Sequence, residues 1–170
     1  MPSYPLALPD VTGDLFVLDA EAIARGAQAA RSSPRRRIML RVHRSGAEGV
    51  QRMINFLQSG SYIRPHRHPQ PECVENVTVL QGAVVFLIFD PQGGVISRHR
   101  LVAGRADACM VDIEQGVWHT LVPLADETVV LEIKRGPYDQ RTDKQFATWA
   151  PEEGTPEAEA WVREMVERAR

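Results

Sequence analysis

Residues 60–75 read Gly60-Ser-Tyr-Ile-Arg-Pro-His66-Arg-His68-Pro-Gln-Pro-Glu-Cys-Val-Glu75 and place two histidines two positions apart. Side chains alternate between the faces of an extended strand, so His66 and His68 are predicted to point to the same side. The Pro69-Gln-Pro71 segment is expected to end this strand, and a hairpin would then bring Glu75 back toward the histidines. Two imidazoles and one carboxylate suit zinc, iron, nickel or manganese better than calcium or magnesium.

The spacing of this stretch resembles the first motif of the cupin family. That motif is matched by the glycines, histidines and glutamate at Gly60, His66, His68, Glu75 and Gly82. Farther along, Gly116-Val117-Trp118-His119 resembles the Gly-x-x-His core of the second cupin motif. The resemblance implies that His119 completes a mononuclear metal site with one or more open positions.

The chain departs from the cupin pattern at three places. Glu114 and Pro123 stand where the family usually has proline and asparagine, and the gap between His68 and the glutamate is longer than usual. Glu72 would fit the usual gap after His68, whereas Glu75 keeps the usual distance to the motif glycine. We predict Glu75 as the ligand and keep Glu72 as the alternative carboxylate.

Longer segments resemble the WbuC family of cupin-fold metalloproteins in the RmlC-like superfamily. The similarity covers roughly residues 37 to 154, through the segments 62–68, 118–120, 136–138 and 143–154. Members of that family tend to have the longer gap between histidine and glutamate, which favours Glu75. They are often found with surface-polysaccharide genes, so the resemblance implies a fold, a metal site and a link to polysaccharide, but no particular reaction.

Composition indicates an ordinary globular domain. The chain has 170 residues, 44% of them apolar and 25% charged, and its formal net charge is -2, so no overall positive field would attract nucleic acid. It shows neither a secretory leader nor an apolar run of about 20 residues, so we expect no membrane partner. Cys73 and Cys109 match neither a zinc motif nor a disulfide framework, which favours the cytoplasm.

At least seven apolar, alternating runs between residues 38 and 134 predict a mainly β, single-domain cupin barrel or jelly roll. Val50, Met53, Ile54 and Leu57 have helical spacing, yet cupins have a strand before the motif glycine, and we predict a strand. The expected parts are an N-terminal extension (1–37), the barrel (38–135) and a C-terminal segment (136–170). Gly82 is predicted to form a tight turn between two core strands.

A short helix after the capping residue Asp19 and a second helix after Thr155 should flank the barrel. The second helix carries an apolar stripe that would cover its own barrel or that of a neighbouring subunit, and we expect a homodimer. The stripe consists of Ala158, Trp161, Val162, Met165, Val166 and Ala169.

Several other polar residues are candidates for the pocket. Tyr62 and Arg64 share the period of the histidines, so Arg64 would hold a carboxylate or phosphate, or else make an internal ion pair. Glu132 interrupts the apolar closing strand, either as a partner for a ligand histidine or as a solvated residue. Alternation is lost after Gly136, and the aromatic residues Tyr138, Phe146 and Trp149 are expected to pack over the barrel or at its mouth, which makes Tyr138 a further candidate for the pocket.

The remaining histidines and arginines are expected at the surface. His43 and His99 are predicted to be exposed on edge strands. Six arginines between Arg31 and Arg44 are expected in solvent, with the phosphates of a nucleotide-linked sugar as the alternative ligand.

Three functional classes follow from the site. The first is a metalloenzyme of the isomerase, lyase or dioxygenase type that acts on a small polar metabolite, such as a sugar or sugar acid. The second is a binding or sensor module without turnover, because no general acid or base stands out beyond the ligands. The third is a metal-free sugar-nucleotide epimerase, against which the three histidines argue. Fold alone does not separate these classes.

Overall fold

A computed structural model describes residues 4–104 and 108–168 of the chain. Within those ranges it contains two helices and ten strands. In chain order they are α1 (Ala20–Ser32), β1 (Arg37–Arg41), β2 (Val50–Leu57), β3 (His66–Arg67), β4 (Glu75–Gln81), β5 (Ala83–Phe89), β6 (Val95–Val102), β7 (Met110–Ile113), β8 (Trp118–Pro123), β9 (Thr128–Arg135), β10 (Gln145–Phe146) and α2 (Pro156–Glu167).

The strands form two five-stranded antiparallel sheets. The first has the order β1-β2-β9-β4-β7 and the second has the order β10-β3-β8-β5-β6. Their inner faces share one apolar core, to which the first sheet contributes Leu57, Val77 and Val130 and the second contributes Phe86, Leu101 and Leu121. This two-sheet arrangement, with one helix near each end, confirms the predicted fold class.

The segment before Gly60 is a strand, as predicted from the family pattern and against its helical spacing. Strand β2 pairs with β9 along its whole length, from Val50 opposite Arg135 to Leu57 opposite Thr128. Its other edge pairs with β1. Ladder hydrogen bonds on both sides outweigh local propensity, which is a weak preference for any one segment.

Helix α1 begins at its predicted cap and lies close against the first sheet. The Asp19 carboxylate accepts a hydrogen bond from the Ala22 amide at 2.8 Å, which satisfies one free donor of the first turn. Gly26 faces Phe56, and a Cβ atom at Gly26 would lie 2.4 Å from the ring. The close approach of α1 to β2 therefore depends on this glycine.

Helix α2 covers the outer face of the second sheet of its own barrel. Its buried residues Ala158, Val162 and Met165 pack with Val85, Leu87 and Val122. The stripe therefore finds its partner within the chain; its last member, Ala169, lies outside the described residues, as do residues 1–3 of the N-terminal extension. Neither described helix has the length and apolar character needed to cross a membrane.

The chain crosses from one sheet to the other at Gly82, so the predicted tight turn between two paired strands is wrong. The chain leaves β4 in the first sheet and enters β5 in the second, and the two strands have different partners. Gly82 has φ +77°, and a Cβ atom there would lie 2.5 Å from Oγ1 of Thr128. Both the backbone conformation and the close approach require glycine.

The two non-motif histidines differ from each other. His99 is exposed on the edge strand β6, as predicted. His43 is buried, with Nδ1 hydrogen-bonded to the backbone of Arg52, so the expectation that it is exposed was wrong. The pattern around His43 did not show that the following loop and β2 would enclose the ring.

Candidate metal centre

Two histidines from the second sheet, and a third that directly follows one of its strands, meet one glutamate from the first sheet. His66 in β3 stands directly opposite His119 in β8, and His68 follows the end of β3. Glu75 begins β4, so it approaches from the opposite sheet, and the predicted hairpin between His68 and Glu75 was wrong. All four side chains are buried, and their nearest ligand atoms lie within 4.8 Å of one another.

The carboxylate of Glu75 is the centre of the group. Its Oε2 atom lies 3.0 Å from Nε2 of His119 and 3.2 Å from Nε2 of His68. The rings of His66 and His119 have centroids 4.6 Å apart, and the ring of Phe86 stacks on His119 at 5.6 Å. Apolar packing thus holds the imidazoles in place from behind.

The protonation of the imidazoles follows from their second nitrogen atoms. Nδ1 lies 2.9 Å from the Arg64 carbonyl oxygen in His66, 2.6 Å from that of Asp143 in His68, and 2.9 Å from that of Val117 in His119. A carbonyl oxygen only accepts hydrogen bonds, so each Nδ1 carries the proton. In the neutral ring, Nε2 then presents a lone pair toward the centre of the group.

These atoms fit a cation better than they fit one another. Nε2 of His66, Nε2 of His68 and Oε2 of Glu75 are buried without a hydrogen bond, although unpaired buried polar atoms are costly. Imidazole nitrogen and carboxylate oxygen are the donors that zinc and other divalent transition metals take. An ion at this position would satisfy all the unpaired atoms at once.

The charges of the group agree with a cation site. Burial alone would raise the pKa of Glu75, but hydrogen bonds from His119 and His68, which the rings can donate when no ion is bound, outweigh burial and hold this pKa well below its ordinary value. Burial, followed by the positive charge of Lys144, holds the pKa of His66 well below its ordinary value. Near neutral pH the group therefore contains an ionised carboxylate and an uncharged His66.

The C-terminal segment supports the histidines from outside. Strand β10 pairs with β3, and the Asp143 carbonyl oxygen accepts a hydrogen bond from Nδ1 of His68. The carboxylate of Asp143 accepts hydrogen bonds at 2.6 and 2.8 Å from the buried ammonium group of Lys134. This ion pair joins the segment to β9 and fixes the atom that orients His68.

A cavity of about 410 Å³ reaches the group on the side of His66. Of the predicted pocket residues, Arg64, Glu132 and Tyr138 line it. Tyr62 does not line it: its hydroxyl donates to the Pro151 carbonyl oxygen at 2.8 Å, and its ring packs on Trp161 of α2. The period-two prediction was wrong for Tyr62 because residues 61–65 are not a strand.

The candidate carboxylates Glu72, Glu75 and Glu132 lie in different surroundings. Glu72 lies at the surface, where it pairs with Arg135 at 2.6 Å, so the structure brings Glu75 and not Glu72 to the histidines. Glu132 faces the cavity and accepts a hydrogen bond from Asn55 at 3.0 Å. Among the described residues it makes no hydrogen bond to a ring nitrogen, so it is neither a direct partner of a ligand histidine nor an outward-facing residue, in contrast to both expectations. Burial, and next the charge of Glu75, raises the pKa of Glu132.

Several cavity residues escaped the sequence analysis. The arginines expected in solvent include Arg35, Arg37, Arg41 and Arg44, which line the cavity. Asn55 lines it from β2, His43 lines it from the loop after β1, and Lys144 lines it from the C-terminal segment. Alternation in β2 is the one signal that was available for Asn55; Lys144 lies in a stretch without periodicity.

Comparison with known sequences gives one family profile. The sequence profile of the domain of unknown function DUF6016 matches residues 18–101, a range that includes His66, His68 and Glu75 but ends before His119. No curated protein matches the sequence. The resemblance to the WbuC family therefore stays a prediction.

Two solved structures illustrate the similarity in fold. An oxalate oxidase in complex with the substrate analogue glycolate has a TM-score of 0.52 and 17% identity over 68% of this chain and 57% of its own. The capsular polysaccharide assembling protein CapF from Staphylococcus aureus has a TM-score of 0.53 and 20% identity over 64% of this chain and 29% of its own. This chain thus spans about half or less of these proteins, and what it shares with them is the cupin fold.

Proposed function

We propose that this cupin-fold chain binds one divalent transition-metal ion through His66, His68, Glu75 and His119 and uses the adjacent cavity for a small polar metabolite. The observation that carries the proposal is that Nδ1 of each of the three rings lies within 2.9 Å of a backbone carbonyl oxygen. A neutral ring held in this way presents its Nε2 lone pair to the group, and Nε2 of His68 and Nε2 of His119 lie 3.2 and 3.0 Å from Oε2 of Glu75. Zinc, iron, nickel and manganese all suit this donor set.

The metal and the protein have separate tasks in this proposal. When bound, the ion supplies Lewis-acid or redox chemistry at an oxygen atom of the metabolite. The carbonyls of Arg64, Val117 and Asp143 hold the imidazoles in one tautomer and one orientation. Asn55 holds the Glu132 carboxylate at the cavity wall, where it can accept a proton, or a hydrogen bond from a hydroxyl group.

We further propose a metalloenzyme of the isomerase, lyase or dioxygenase type that acts on a sugar or sugar acid. The resemblance to the WbuC family supports this class, since it includes the longer gap between His68 and Glu75 and a link to surface polysaccharide. A cytoplasmic homodimer is proposed as well, the cytoplasm because Cys73 and Cys109 match no disulfide framework and the dimer because cupins are commonly dimers. The apolar stripe of α2 lends the dimer no support, because α2 packs on its own barrel.

The two other classes lead to different measurements. A binding module would hold the metal and the metabolite without turnover. A metal-free epimerase would use a histidine as its base, but the three rings converge on a carboxylate rather than around an open base. Metal content separates the third class from the first two, and turnover separates the first from the second.

The test is elemental analysis of the purified protein before and after dialysis against a chelator. We expect about one metal ion per wild-type chain and a large loss in His66→Ala and His119→Ala. His99→Ala is the matched control, because His99 is exposed on β6 and is not a member of the group. Wild-type protein that takes up no transition metal, or His66→Ala protein that takes up as much as wild type, would contradict the proposal.

Thermal unfolding gives an independent readout of the same site. A ligand that binds only the folded state stabilises it by about 2.7 kcal/mol at a hundredfold excess over its Kd. The melting temperature of wild type should therefore fall on chelation and recover when metal is returned. Circular dichroism of each variant shows whether the fold survives, so that a loss of metal is not confused with unfolding.

A further inference from the structure

The cavity beside the metal centre carries an excess of positive charge. Seven arginine and lysine side chains line it against four aspartate and glutamate side chains. The formal net charge of the whole chain is -2, so this concentration of cations is local. A concave, partly enclosed surface of one sign raises the local concentration of ligands of the opposite sign.

Most of these cations already have a carboxylate. Arg35 and Arg37 bind Glu153, with Arg35 Nε at 2.7 Å from its Oε1 atom and an Arg37 nitrogen at 2.9 Å from Oε2. Arg41 pairs with Asp10 at 2.7 Å, and Lys134 binds Asp143. Arg44 donates to the carbonyl oxygens of Gly13 and Val42. Their charge and donors are therefore largely satisfied within the chain.

Arg64 and Lys144 are different. One terminal nitrogen of Arg64 donates to the Ala147 carbonyl oxygen at 2.9 Å, but its Nε is buried without a partner. The nearest carboxylate to Arg64 belongs to Glu152, at 3.9 Å, and this side chain is 80% exposed. Across the described ranges, Lys144 makes neither an ion pair nor a side-chain hydrogen bond.

Both residues lie next to the metal centre. Arg64 lies two residues before β3, and its guanidinium lies 5.8 Å from the ring centroid of Phe146, which is itself 6.1 Å from the ring centroid of His66. Lys144 precedes β10, the strand that pairs Phe146 with His66. An unpaired, buried guanidinium nitrogen is costly unless a ligand completes its hydrogen bonds.

We propose that Arg64 and Lys144 form an oxyanion subsite, so that the metabolite is a small anionic molecule with a carboxylate or phosphate group. Arg64 would contribute directional hydrogen bonds to two oxygens and Lys144 a mobile positive charge. The cavity of about 410 Å³ admits a molecule the size of a sugar acid or sugar phosphate. This inference rests on the proposed function, because the remainder of the molecule would lie beside the metal ion.

The test compares three sugars of similar size with metal-loaded protein by isothermal titration calorimetry. Glucose is neutral, glucuronate adds a carboxylate and glucose 6-phosphate adds a phosphate. We expect one of the two anions to bind at least about tenfold more tightly than glucose, as hydrogen bonds between charged groups allow. The anion that is preferred identifies the group.

Variants separate the subsite from the metal, which itself attracts anions. Lys144→Gln breaks no hydrogen bond or ion pair among the described residues and should fold normally, and we expect it to weaken anion binding by about tenfold without changing glucose binding. Arg64→Gln should do the same, and Arg64→Lys, which keeps the charge but not the planar group, should fall between. Arg98→Gln makes the same change of charge on the exposed edge strand β6 and should behave as wild type.

Metal analysis of the same samples keeps the two proposals apart. Metal-loaded wild type that binds none of the three sugars at millimolar concentration, or that binds all three alike, would contradict the oxyanion subsite alone. A preference for the anion that survives in both Lys144→Gln and Arg64→Gln would also contradict it. A wild-type protein without metal would contradict the proposed function itself.

Discussion

Nε2 of His119 lies 3.0 Å from Oε2 of Glu75, although the two residues belong to opposite sheets of the barrel. The contact has an unusual character, because the Nδ1 proton of His119 is already donated to the Val117 carbonyl oxygen at 2.9 Å. An imidazole lone pair and a carboxylate repel each other, so this contact is favourable only when a cation lies between them or the ring carries a second proton.

Glu75→Gln should abolish tight metal binding. The substitution keeps the shape of the side chain but removes the one negative charge of the proposed ligand set. We expect metal affinity to fall by about a hundredfold or more, because even partners behind a ligand cost 10- to 100-fold when they are lost. Titration with zinc against a competing chelator measures the change.

Glu72→Gln is the matched control for this experiment. Glu72 is the alternative carboxylate at the surface, paired with Arg135. Its removal should leave metal affinity unchanged and stability within about 0.5 kcal/mol. Equal losses of metal in the two variants would show that the contact seen between Glu75 and the histidines is not the binding site.

Lys134→Met should destabilise the protein and weaken metal binding together. The ammonium of Lys134 is 3% exposed and binds the Asp143 carboxylate, whose backbone carbonyl orients His68. Removal of one partner of a buried pair costs about 3 to 5 kcal/mol. If the segment around Asp143 also loosens, metal affinity should fall by roughly tenfold or more.

Urea unfolding and metal titration of Lys134→Met measure the two effects. Arg141→Gln provides the control, since Arg141 forms an exposed pair with Asp139 in the same segment. That variant should be close to wild type in both measurements. If the Lys134→Met protein is destabilised but keeps its metal affinity, the ion pair between Lys134 and Asp143 is not needed to orient His68.

Glu153→Gln should lower stability at neutral pH but not in acid. Burial alone would raise the pKa of Glu153, but Arg35 and Arg37 outweigh burial and hold this pKa below its ordinary value of 4.5. A carboxylate whose folded-state pKa is lowered stabilises the fold above its unfolded pKa, and this contribution is lost as pH falls through the folded value. The Glu153 side chain is 35% exposed, so screening limits the effect to about 1 kcal/mol.

Unfolding free energies of wild type and Glu153→Gln between neutral pH and about pH 3 test this sign. The difference between the two proteins should be constant near neutral pH and should shrink below pH 4.5, the ordinary value. A difference that instead grows in acid would mean that the arginines do not stabilise the charged form of Glu153.

Gly26→Ala should destabilise the protein, although alanine is the better helix former. Alanine in an exposed helix position would gain about 1 kcal/mol over glycine. At Gly26 the new Cβ atom would lie 2.4 Å from the ring of Phe56, and overpacking of this kind costs about 1 to 3 kcal/mol. The net effect should be a loss of stability, measured by urea unfolding.

A second substitution tests the cause. In a Phe56→Leu background the ring is absent, so Gly26→Ala should be tolerated better than in wild type. The two changes should therefore be non-additive, as expected for residues in direct contact. A stabilising Gly26→Ala in wild type would indicate that α1 can move away from β2 without loss.

The candidate site was predictable to the extent that motif spacing carries it. The histidines and the choice of Glu75 over Glu72 came from intervals along the chain and from the resemblance to cupins. The route by which Glu75 reaches the histidines was not predictable in this way. The predicted hairpin is wrong, because β3 and β4 belong to different sheets. Tyr62 was misplaced for a related reason, since alternation holds only within a strand and β3 is two residues long.

The amino-acid sequence by itself determined the features that depend on neighbours along the chain. These are the capped helices α1 and α2 and the strands with their alternating faces. Local backbone geometry and side-chain size suffice to specify them. The tertiary structure alone decided which distant groups share the cavity, such as Asn55 and Lys144, and which carbonyls orient the rings. Those contacts depend on sheet order, on strand register and on the packing of one sheet against the other, and no short segment of the chain contains that information.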